Sequence, residues 1–586
     1  MIAYRNHPSI LWWNVLNENA PRFDPKRPNV NEMTLGPYVL SSVLPQVHAL
    51  DSTRPAIAND PIWHGVDNIW EPGKSKPSLP LVQDHYYQFT ALENNEDSWE
   101  KIRQRKWGSA DNPSTDYLAI TEWGVNSSPD WNTLMESYEK SGLPQDAEDY
   151  TLYRKLRDMN VHYYEESGIR EQGFSTFENI QDANREYVAW RYREQMALYW
   201  GNLHSVGHGL TSLDDSSYEL SGVVDTWRNP KPVVFDTITE LNRPLQINLW
   251  LRPSCLYAGD PIELDATLVN ERQRLAKGTY QLKLSLIGDN GWVVSEKDYT
   301  HQTGSDAIEH LVTDSIPANV PAGRYHLTLE LAGGPQELRA QRPVVIFERE
   351  PKPIQTQATA WVWERASALQ SWLEARSIQP RKGDGAKIRP GDLILVGDAD
   401  PNAAKTILDA VRSGTRAVVL QPEVLFHQEQ TPADVLDVSV PISYSERMPA
   451  LAEDWKPELR KIDWWGAPSA WGYTRTALAL QHPFLAGLPQ AKPLEAQPEY
   501  QRLAPVFTWV MNRPPASTLI RHAVRESSVA IDMPYSSDLF SASIGSGQLV
   551  LNSLKIVQHL GHDPGADILL ENLLRECSRQ GSGNGA

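Results

Sequence analysis

The sequence predicts a multidomain protein that joins α/β domains to an all-β domain. A chain of 586 residues is too long for a single hydrophobic core, so several compact units are expected. Strand-like apolar runs alternate with helical patterns near both ends of the chain, whereas short segments of alternating apolar and polar residues lie between them. We therefore expect three domains, at 1–243, 244–350 and 351–580, and a disordered tail at 581–586.

The first domain is predicted to be a segment of an α/β barrel. Its strand-like runs end in polar residues, and they are SILWWNV, LVQDHYY, YLAITEWG and SVGHGLTSL. Apolar and aromatic residues recur at every third or fourth position over 177–202, which predicts a long helix. This alternation is typical of βα units, in which the carboxyl ends of parallel strands gather at one edge.

The second domain is predicted to be a β-sandwich of immunoglobulin-like size. It begins at Pro244, which closes the last helical stretch of the first domain. Its alternating segments are separated by Gly, Pro and Asn turns, and they include CLYAGDPIELDATLVN, YQLKLSLIG and GRYHLTLELAG. The charged, proline-containing stretch 348–357 suits a linker to the next domain.

The third domain is predicted to be an open α/β sheet. The run DLILVGD is followed by a predicted helix at 401–413, a capping Gly414 and the run RAVVLQP, which together indicate one βαβ unit. A further strand at 547–554 and an amphipathic helix near 564–577 complete the pattern. It resembles flavodoxin-like domains and class I glutamine amidotransferases. The amidotransferase reaction needs a cysteine nucleophile at a strand-to-helix turn, and neither Cys255 nor Cys577 fits, so a non-catalytic domain is expected.

The amino-acid composition of the chain limits the classes of partner that it is expected to bind. A formal net charge of −19 argues against a nucleic-acid partner, because phosphate binding needs clustered Lys and Arg. No run of about 18 apolar residues occurs, so no membrane partner is expected. The 21 Trp and 22 Tyr suit stacking on sugars, which favours a carbohydrate partner. We expect no cofactor and no metal, and we leave open self-association and a periplasmic or extracellular location of a longer parent protein.

Two apolar, strand-like runs end in glutamates that could act as a pair of reacting groups. Hydrolysis of a glycosidic bond with retention uses one carboxylic acid to protonate the leaving oxygen and one carboxylate to attack the anomeric carbon. In a parallel barrel, such groups lie at the carboxyl ends of strands. The run HPSILWWNVLNEN ends in Asn17 and Glu18, and the run YLAITEWGVN contains Glu122. To act as the acid, Glu18 needs a pKa raised by burial and by the negative charge of Glu122.

These runs resemble segments of glycoside hydrolase family 2, which includes β-galactosidases, β-mannosidases and β-glucuronidases. HPSILWWNVLNE is similar to the end of barrel strand four, and ITEWGVN is similar to the end of strand seven. The resemblance implies a (β/α)8 TIM barrel, with Glu18 as general acid/base and Glu122 as nucleophile. It also implies that Asn17 donates a hydrogen bond to the sugar 2-hydroxyl.

Three more segments carry the resemblance, and they are DSTRPAIAND, VQDHYYQF and GLTSLDDSSYELSGVVDTWRNPKP. The second implies that Tyr86 holds the nucleophile by a hydrogen bond, with His85 as a neighbour in the substrate site. Trp123, next to the nucleophile, has the best claim among the aromatic residues to contact the sugar, although an aromatic residue in an apolar strand is more often core. Asp214, Asp215 and Glu219 are predicted to lie in a solvated acidic loop near the barrel exit, with a place on the pocket wall as the alternative.

The resemblance starts at barrel strand four, so the sequence favours a chain that lacks the first half of the barrel. Two functions follow. One is a retaining glycosidase, β-galactosidase-like, that acts on terminal β-linked sugars. The other is an inactive fragment or a carbohydrate-binding or assembly module. The Asn-x-Lys motif of glucuronidases is not visible in VNSSPD after Glu122, which disfavours a glucuronide. Galactosides, mannosides, glucosaminides and plant-polysaccharide side chains stay open.

Overall fold

The computed structural model describes residues 12–17, 42–54, 56–60, 69–70, 81–86, 117–216, 220–333, 338–356, 358–400, 402–422, 458–461, 476–505, 507–511, 517–522 and 535–579. These residues divide into two compact units. The first contains the described residues up to 86 together with 117–124 and 198–211, and the second contains 125–197 and the described residues from 212 onward. The three domain boundaries drawn from the sequence stay predictions, and the predicted tail at 581–586 lies outside the described residues.

Among the described residues, the first unit contains two three-stranded sheets, one short helix and the last residues, 198–201, of a longer helix. Its elements are β1 (Trp13–Asn17), α1 (Leu44–Leu50), β2 (Ala56–Asp60), β3 (Ile69–Trp70), β4 (Leu81–Tyr86), β5 (Tyr117–Trp123) and β6 (Ser205–Leu210). β1 pairs with β2 in parallel, and β3 pairs with β2 in the antiparallel sense. β4, β5 and β6 form a parallel sheet with β5 in the centre, and β2 runs beside β4. The result is a half-barrel arrangement of strands.

Burial of the central strand matches its position in this sheet. Leu118, Ala119 and Ile120 are consecutive in β5, and each is at most 6% exposed. A parallel strand that is covered on both faces is apolar along its length rather than alternating. The polar residues therefore come only at the end of β5.

The described residues between 131 and 241 contain four α-helices, and they are α2 (Trp131–Ser141), α3 (Glu148–Glu166), α4 (Phe177–Gly201) and α5 (Val234–Leu241). Most of their residues belong to the second unit. α2 begins at Asp130, whose carboxylate accepts hydrogen bonds from the backbone of Asn132 and Thr133, and it ends at Gly142 with a left-handed φ of 75°. The helix predicted at 177–202 is confirmed by α4. α4 also carries several polar residues that are at most 4% exposed, namely Gln181, Asn184, Arg185, Arg191 and Gln195.

Two further sheets share one hydrophobic core between residues 245 and 347. Their strands are β7 (Leu245–Arg252), β8 (Cys255–Tyr257), β9 (Pro261–Asn270), β10 (Gly278–Gly288), β11 (Val293–Thr303), β12 (Ile308–Pro317), β13 (Gly323–Ala332) and β14 (Leu338–Phe347). One sheet has the order β11-β10-β13-β14-β8, and the other has the order β12-β9-β7. In β10, Leu282 and Leu284 are buried and Lys283 between them is exposed, because successive side chains of a strand point to opposite faces.

The last part of the chain forms an eleven-stranded mixed sheet with helices. Its elements are β15 (Ala360–Trp363), α6 (Ala368–Glu374), β16 (Arg381–Lys382), β17 (Leu393–Val396), α7 (Ala403–Arg412), β18 (Arg416–Val419), β19 (Glu458–Lys461), β20 (Ala477–Ala479), β21 (Lys492–Pro493), β22 (Phe507–Met511), β23 (Ser517–His522), β24 (Tyr535–Ile544), β25 (Gly547–Asn552), α8 (Ile556–His559) and α9 (Pro564–Ser578). The main path is β16-β15-β17-β18-β25-β24-β23-β20-β21. The first five strands of this path are parallel. The predicted βαβ unit and final helix are confirmed.

Both faces of the parallel strands are covered. Leu393 and Leu395 of β17 pack in one core with residues of α6 and α9, and Ile394 and Val396 pack in a second core with residues of α7. All four side chains are buried, which explains why LILV is apolar throughout. The helices therefore lie on opposite faces of the sheet.

Asp567 of α9 joins this sheet domain to the two-sheet region. Its carboxylate accepts hydrogen bonds from the Tyr257 hydroxyl at 2.5 Å and the Trp372 indole at 2.8 Å, and it pairs with Arg376 at 3.1 Å. The Arg376 guanidinium also lies 3.7 Å from the centre of the Trp372 ring. A buried carboxylate with this many partners fixes one region against the other.

Candidate active site

The carboxyl ends of β4, β5 and β6 lie at one edge of their sheet, and Glu122 lies at this edge on the central strand. The parallel register pairs His85 with Glu122 and Tyr86 with Trp123, and it pairs Trp123 with Leu210 of β6. The backbone thus brings four residues of the predicted site together. The side chains of β4 are outside the described part of the molecule, so the hydrogen bond from Tyr86 to the nucleophile stays a prediction.

A β-bulge interrupts β5 at this edge. Between the register pairs Asp84–Ile120 and His85–Glu122, β5 contains one extra residue, Thr121. The register of β5 against β6 shifts over the same residues. Bulges bend a strand, redirect its side chains and are common at barrel rims and next to active sites. The bulge therefore sets the local direction of the chain at Glu122.

Two glycines make room for this irregular edge. A Cβ on Gly209 of β6 would lie 2.5 Å from the carbonyl oxygen of Thr121, closer than real Cβ atoms come to other atoms. Gly124 has a φ of +143°, and a Cβ there would lie 2.5 Å from the carbonyl oxygen of Thr211. The backbone of Thr211 also donates a hydrogen bond of 2.8 Å to the carbonyl of Trp123. The close approach of β5 and β6 at the site thus requires glycine at 209 and 124.

Trp123 is buried rather than open to solvent, with 2% of its surface exposed. Its indole N–H donates to Nδ1 of His208 at 3.1 Å, so the ring proton of neutral His208 is on Nε2. The His208 ring also packs against Tyr199 and Trp200, with centroid distances of 5.4 and 5.7 Å. Stacking of Trp123 on a sugar stays a prediction. The sequence analysis did not place His208 at the site. Gly207 and Gly209, which flank His208, are the local signal of an irregular strand there.

Asn17, which precedes the other predicted carboxylate in the sequence, is the last residue of β1. Asn17 is exposed at the end of β1, where the parallel register pairs it with Asp60 of β2. Glu18, the predicted acid/base, lies outside the described residues. The structure therefore places Asn17 and Glu122 at strand ends of the same unit and gives no position for the carboxylate of Glu18.

Asp51 ties the segment before β2 to β1. Its carboxylate accepts hydrogen bonds from the Trp13 indole at 3.0 Å, the Thr53 hydroxyl at 2.6 Å and the Arg54 guanidinium at 2.8 Å. These bonds, with that from Thr53 the strongest influence, hold the pKa of Asp51 well below its usual range. The network fixes β1, which ends at Asn17, through an ionised carboxylate.

Residues 125–129 continue the chain beyond β5, and we call them the strap. All five residues are buried. Three side chains of α4 bind the strap: the Tyr192 hydroxyl donates to the carbonyl of Val125 at 3.2 Å, Oδ1 of Asn184 accepts from the backbone of Ser128 at 2.7 Å, and the Arg185 guanidinium donates to the carbonyl of Pro129 at 3.1 Å. A buried loop is tolerable only when its backbone polar groups have partners, and these side chains supply several.

A buried lysine from a later part of the chain also binds the strap. The ammonium of Lys231, 1% exposed, donates to the carbonyl and hydroxyl oxygens of Ser127 at 2.7 and 3.0 Å, and to the carbonyl of Leu220 at 2.9 Å. It also pairs with Asp215 at 2.7 Å. Burial raises the pKa of Asp215 to about 6 in spite of the neighbouring ammonium. The prediction that Asp215 lies in a solvated loop is therefore wrong, because the carboxylate is buried against a cation 16 residues later in the chain. Glu219 of the same predicted loop lies outside the described residues.

The described residues contain no group of three or more His, Cys, Asp or Glu side chains arranged to hold a metal ion. Within the same residues, no helix is both long enough and apolar enough to span a bilayer. The two thiols are buried, and burial raises the pKa of Cys577 to about 12 and that of Cys255 above its ordinary value. Thiols of this kind are protonated at neutral pH and are poor nucleophiles.

No protein-family model matches the chain, and no curated protein matches it. Among solved structures it is similar to an FMN-binding β-glucuronidase from Facaelibacterium prausnitzii L2-6, with 14% identity, 59% of this chain and 42% of that chain covered, and a TM-score of 0.24. A glycosyl hydrolase family 2 member from Bacteroides cellulosilyticus has 11% identity, coverage of 30% and 25%, and a TM-score of 0.15. An endo-β-1,4-mannanase from Thermotoga petrophila has 11% identity, coverage of 59% and 67%, and a TM-score of 0.24. The chain thus spans less than half of the first two proteins.

Proposed function

We propose that this chain is a retaining β-glycosidase of glycoside hydrolase family 2 type, acting on terminal β-linked sugars. The observation that supports this most directly is the position of Glu122, at the bulged carboxyl end of the central strand in a parallel sheet, with His85 and Tyr86 next to it in register. Carboxyl ends of parallel barrel strands are where such enzymes carry their reacting groups.

In this proposal, Glu122 attacks the anomeric carbon and forms a glycosyl-enzyme ester, while Glu18 gives its proton to the departing oxygen. Formation of the ester removes the negative charge of Glu122. Glu18, by then a carboxylate, takes a proton from water, and the water oxygen attacks the anomeric carbon and releases Glu122. Two inversions at one carbon leave the β configuration unchanged. The two carboxyl groups need a separation of roughly 5–5.5 Å for this route.

The neighbouring residues have supporting roles in the proposal. Asn17 donates to the sugar 2-hydroxyl, Tyr86 holds the nucleophile by a hydrogen bond, and His85 and Trp123 line the substrate site. The bond from Trp123 to His208 orients the indole. No cofactor or metal has a step in this mechanism, and the substrate is a neutral sugar, with galactosides and mannosides the first to test.

For the rest of the chain we propose accessory roles. The two sheets between residues 245 and 347 fit an immunoglobulin-like sandwich, with a shared core and mostly antiparallel pairing. The parallel strand order β16-β15-β17-β18-β25 fits a flavodoxin- or amidotransferase-like domain. Both thiols are buried and protonated, which supports a non-catalytic role for that domain.

The test is hydrolysis of aryl β-glycosides, a panel of β-galactoside, β-mannoside, β-glucoside, β-glucosaminide and β-glucuronide, by the whole chain and by the variant Glu122→Gln. We expect hydrolysis of at least one substrate and a loss in kcat of at least about a thousandfold in the variant. The control is Glu136→Gln, because the Glu136 side chain is 61% exposed on α2 and its described ion pair is with Lys140 of the same helix. Its rates should equal those of the unchanged chain.

A second variant separates a lost nucleophile from a disturbed fold. In Glu122→Ala, added azide can take the place of the carboxylate and attack the anomeric carbon. We expect azide to restore hydrolysis and to give the α-glycosyl azide, because one displacement inverts the centre. Equal rates for the unchanged chain and Glu122→Gln would instead leave a carbohydrate-binding or assembly role.

A further inference from the structure

We propose that the C-terminal α/β domain positions the strap that follows the nucleophile strand, and that it does so through Asn184. The effect on catalysis rests on the proposed function, whereas the effect on the strap does not. Asn184 of α4 is fully buried, at 0% exposed. Its Oδ1 accepts the backbone N–H of Ser128 at 2.7 Å, and its Nδ2 donates to the hydroxyl of Thr476 at 2.9 Å. One amide thus joins the strap to the residue that precedes β20.

The chemistry of the amide makes this a directional link. The N–H of Ser128 can only donate, so the atom of Asn184 facing it must be the carbonyl oxygen. The amide nitrogen is then left to donate, and Thr476 provides the acceptor. Removal of the Thr476 hydroxyl would leave a buried N–H with one acceptor fewer, and unsatisfied buried donors are costly. The orientation of the amide that holds Ser128 therefore depends on the C-terminal domain.

The domain is fixed on α4 and the preceding segment by several other contacts. Leu478 and Leu480 of the C-terminal domain share a core with Tyr164, Phe174 and Ile180. The backbone of Gln481 donates to the carbonyl of Gln172 at 2.9 Å. The Tyr187 hydroxyl donates to Glu495, a buried carboxylate, at 2.9 Å. Thr476 therefore presents its hydroxyl from a fixed position rather than from a loose loop.

The strap is also the direct continuation of β5, because Ser128 lies six residues after Glu122 in the chain. Within 125–129, the described bonds from Tyr192, Asn184, Arg185 and Lys231 hold both ends and the middle. Three of these side chains, including that of Asn184, belong to α4. Asn184 is the one of the four that passes a described bond on to the C-terminal domain. The domain therefore acts on the strap, and it acts on Glu122 through the five residues of chain that lie between Glu122 and Ser128.

The experiment compares Thr476→Val with Tyr187→Phe in the whole chain. Each removes a hydroxyl from a buried hydrogen bond between α4 and the C-terminal domain. The first bond continues to the strap through Asn184, whereas among the described bonds none joins Tyr187 or Glu495 to the strap. Hydrogen exchange, read by mass spectrometry on peptides covering 124–130, should be about fivefold to tenfold faster in Thr476→Val and unchanged in Tyr187→Phe. Thr476→Ser keeps the hydroxyl and should restore slow exchange.

Kinetics give the second measurement. With an active substrate, Thr476→Val should lower kcat by about fivefold to tenfold with KM unchanged, as expected for a shift of a reacting group rather than of sugar binding. Equal exchange at the strap in Thr476→Val and Tyr187→Phe would overturn the inference, as would faster exchange without any change in kcat of an active chain. If the chain hydrolyses no glycoside, the proposed function fails, and the exchange comparison still decides whether the domain holds the strap.

Discussion

Replacement of Lys231 by Met removes a buried charge, and the resulting loss in the free energy of unfolding can be estimated from the structure. The ammonium is 1% exposed and has described bonds to Ser127, Leu220 and Asp215 at 2.7–3.0 Å. The side chain of Asp215 is fully buried, so Lys231→Met leaves a carboxylate without its cation. Loss of one partner from a buried ion pair costs about 3–5 kcal/mol. We expect the free energy of unfolding to fall by this amount for the unit that contains the strap.

Chemical denaturation followed by tryptophan fluorescence, with hydrogen exchange at the strap to locate the effect, measures this cost. The double variant Lys231→Met/Asp215→Asn should recover at least half of the loss, because Asn still accepts from the backbone of Gly222 and carries no charge. Lys140→Met is the control. Lys140 forms an ion pair of similar length, 2.8 Å, with Glu136, but the Lys140 side chain is 76% exposed. It should change nothing measurable. A double variant no more stable than Lys231→Met would refute the explanation by an unpaired buried charge.

Two further changes test the pH dependence and the bulge. Burial raises the pKa of Asp563 to about 7 in the folded chain, above its value in the unfolded chain. Its contribution to stability is therefore full below about pH 4 and is lost as the pH rises through 7. The loss amounts to up to about 4 kcal/mol. Asp563→Asn keeps an acceptor for the backbone of Ala566, and thermal unfolding from pH 4 to 8 should show less decline than in the unchanged chain; identical curves would contradict this. Gly209→Ala would push against the Thr121 carbonyl and should cost about 1–3 kcal/mol in unfolding free energy, whereas Gly207→Ala on the same strand meets nothing within 4 Å and should have a far smaller effect on the melting temperature.

Much of the fold follows from local sequence patterns. The periodicity at 177–202 predicted α4 to within one residue, and the run DLILVGD predicted a strand of a βαβ unit, which the structure has at Leu393–Val396. Glu122 could be singled out because a carboxylate directly after an apolar run is expected at a strand end. Such features depend on neighbours only a few positions away, so the sequence shows them directly.

Features that depend on distant pairing could not be predicted in this way. The bulge at Thr121 appears only when β5 is placed against β4 and β6, and the role of Gly209 follows from that placement. The link from Asn184 to Thr476 spans 292 residues. The sequence predicts a solvated carboxylate at Asp215 because nothing near it in the sequence shows that Lys231 folds back onto it.

Capture of the covalent intermediate tests the assignment of Glu122 most directly. A 2-deoxy-2-fluoro β-glycoside with a good leaving group, chosen for the sugar that the panel identifies, forms the glycosyl ester and slows its hydrolysis, because the fluorine disfavours the positively charged transition state. Mass spectrometry of the intact chain and of its peptides then locates the sugar. We expect one equivalent, bound to Glu122. A sugar on a different carboxylate, or turnover of the parent glycoside without any covalent adduct, would contradict the mechanism.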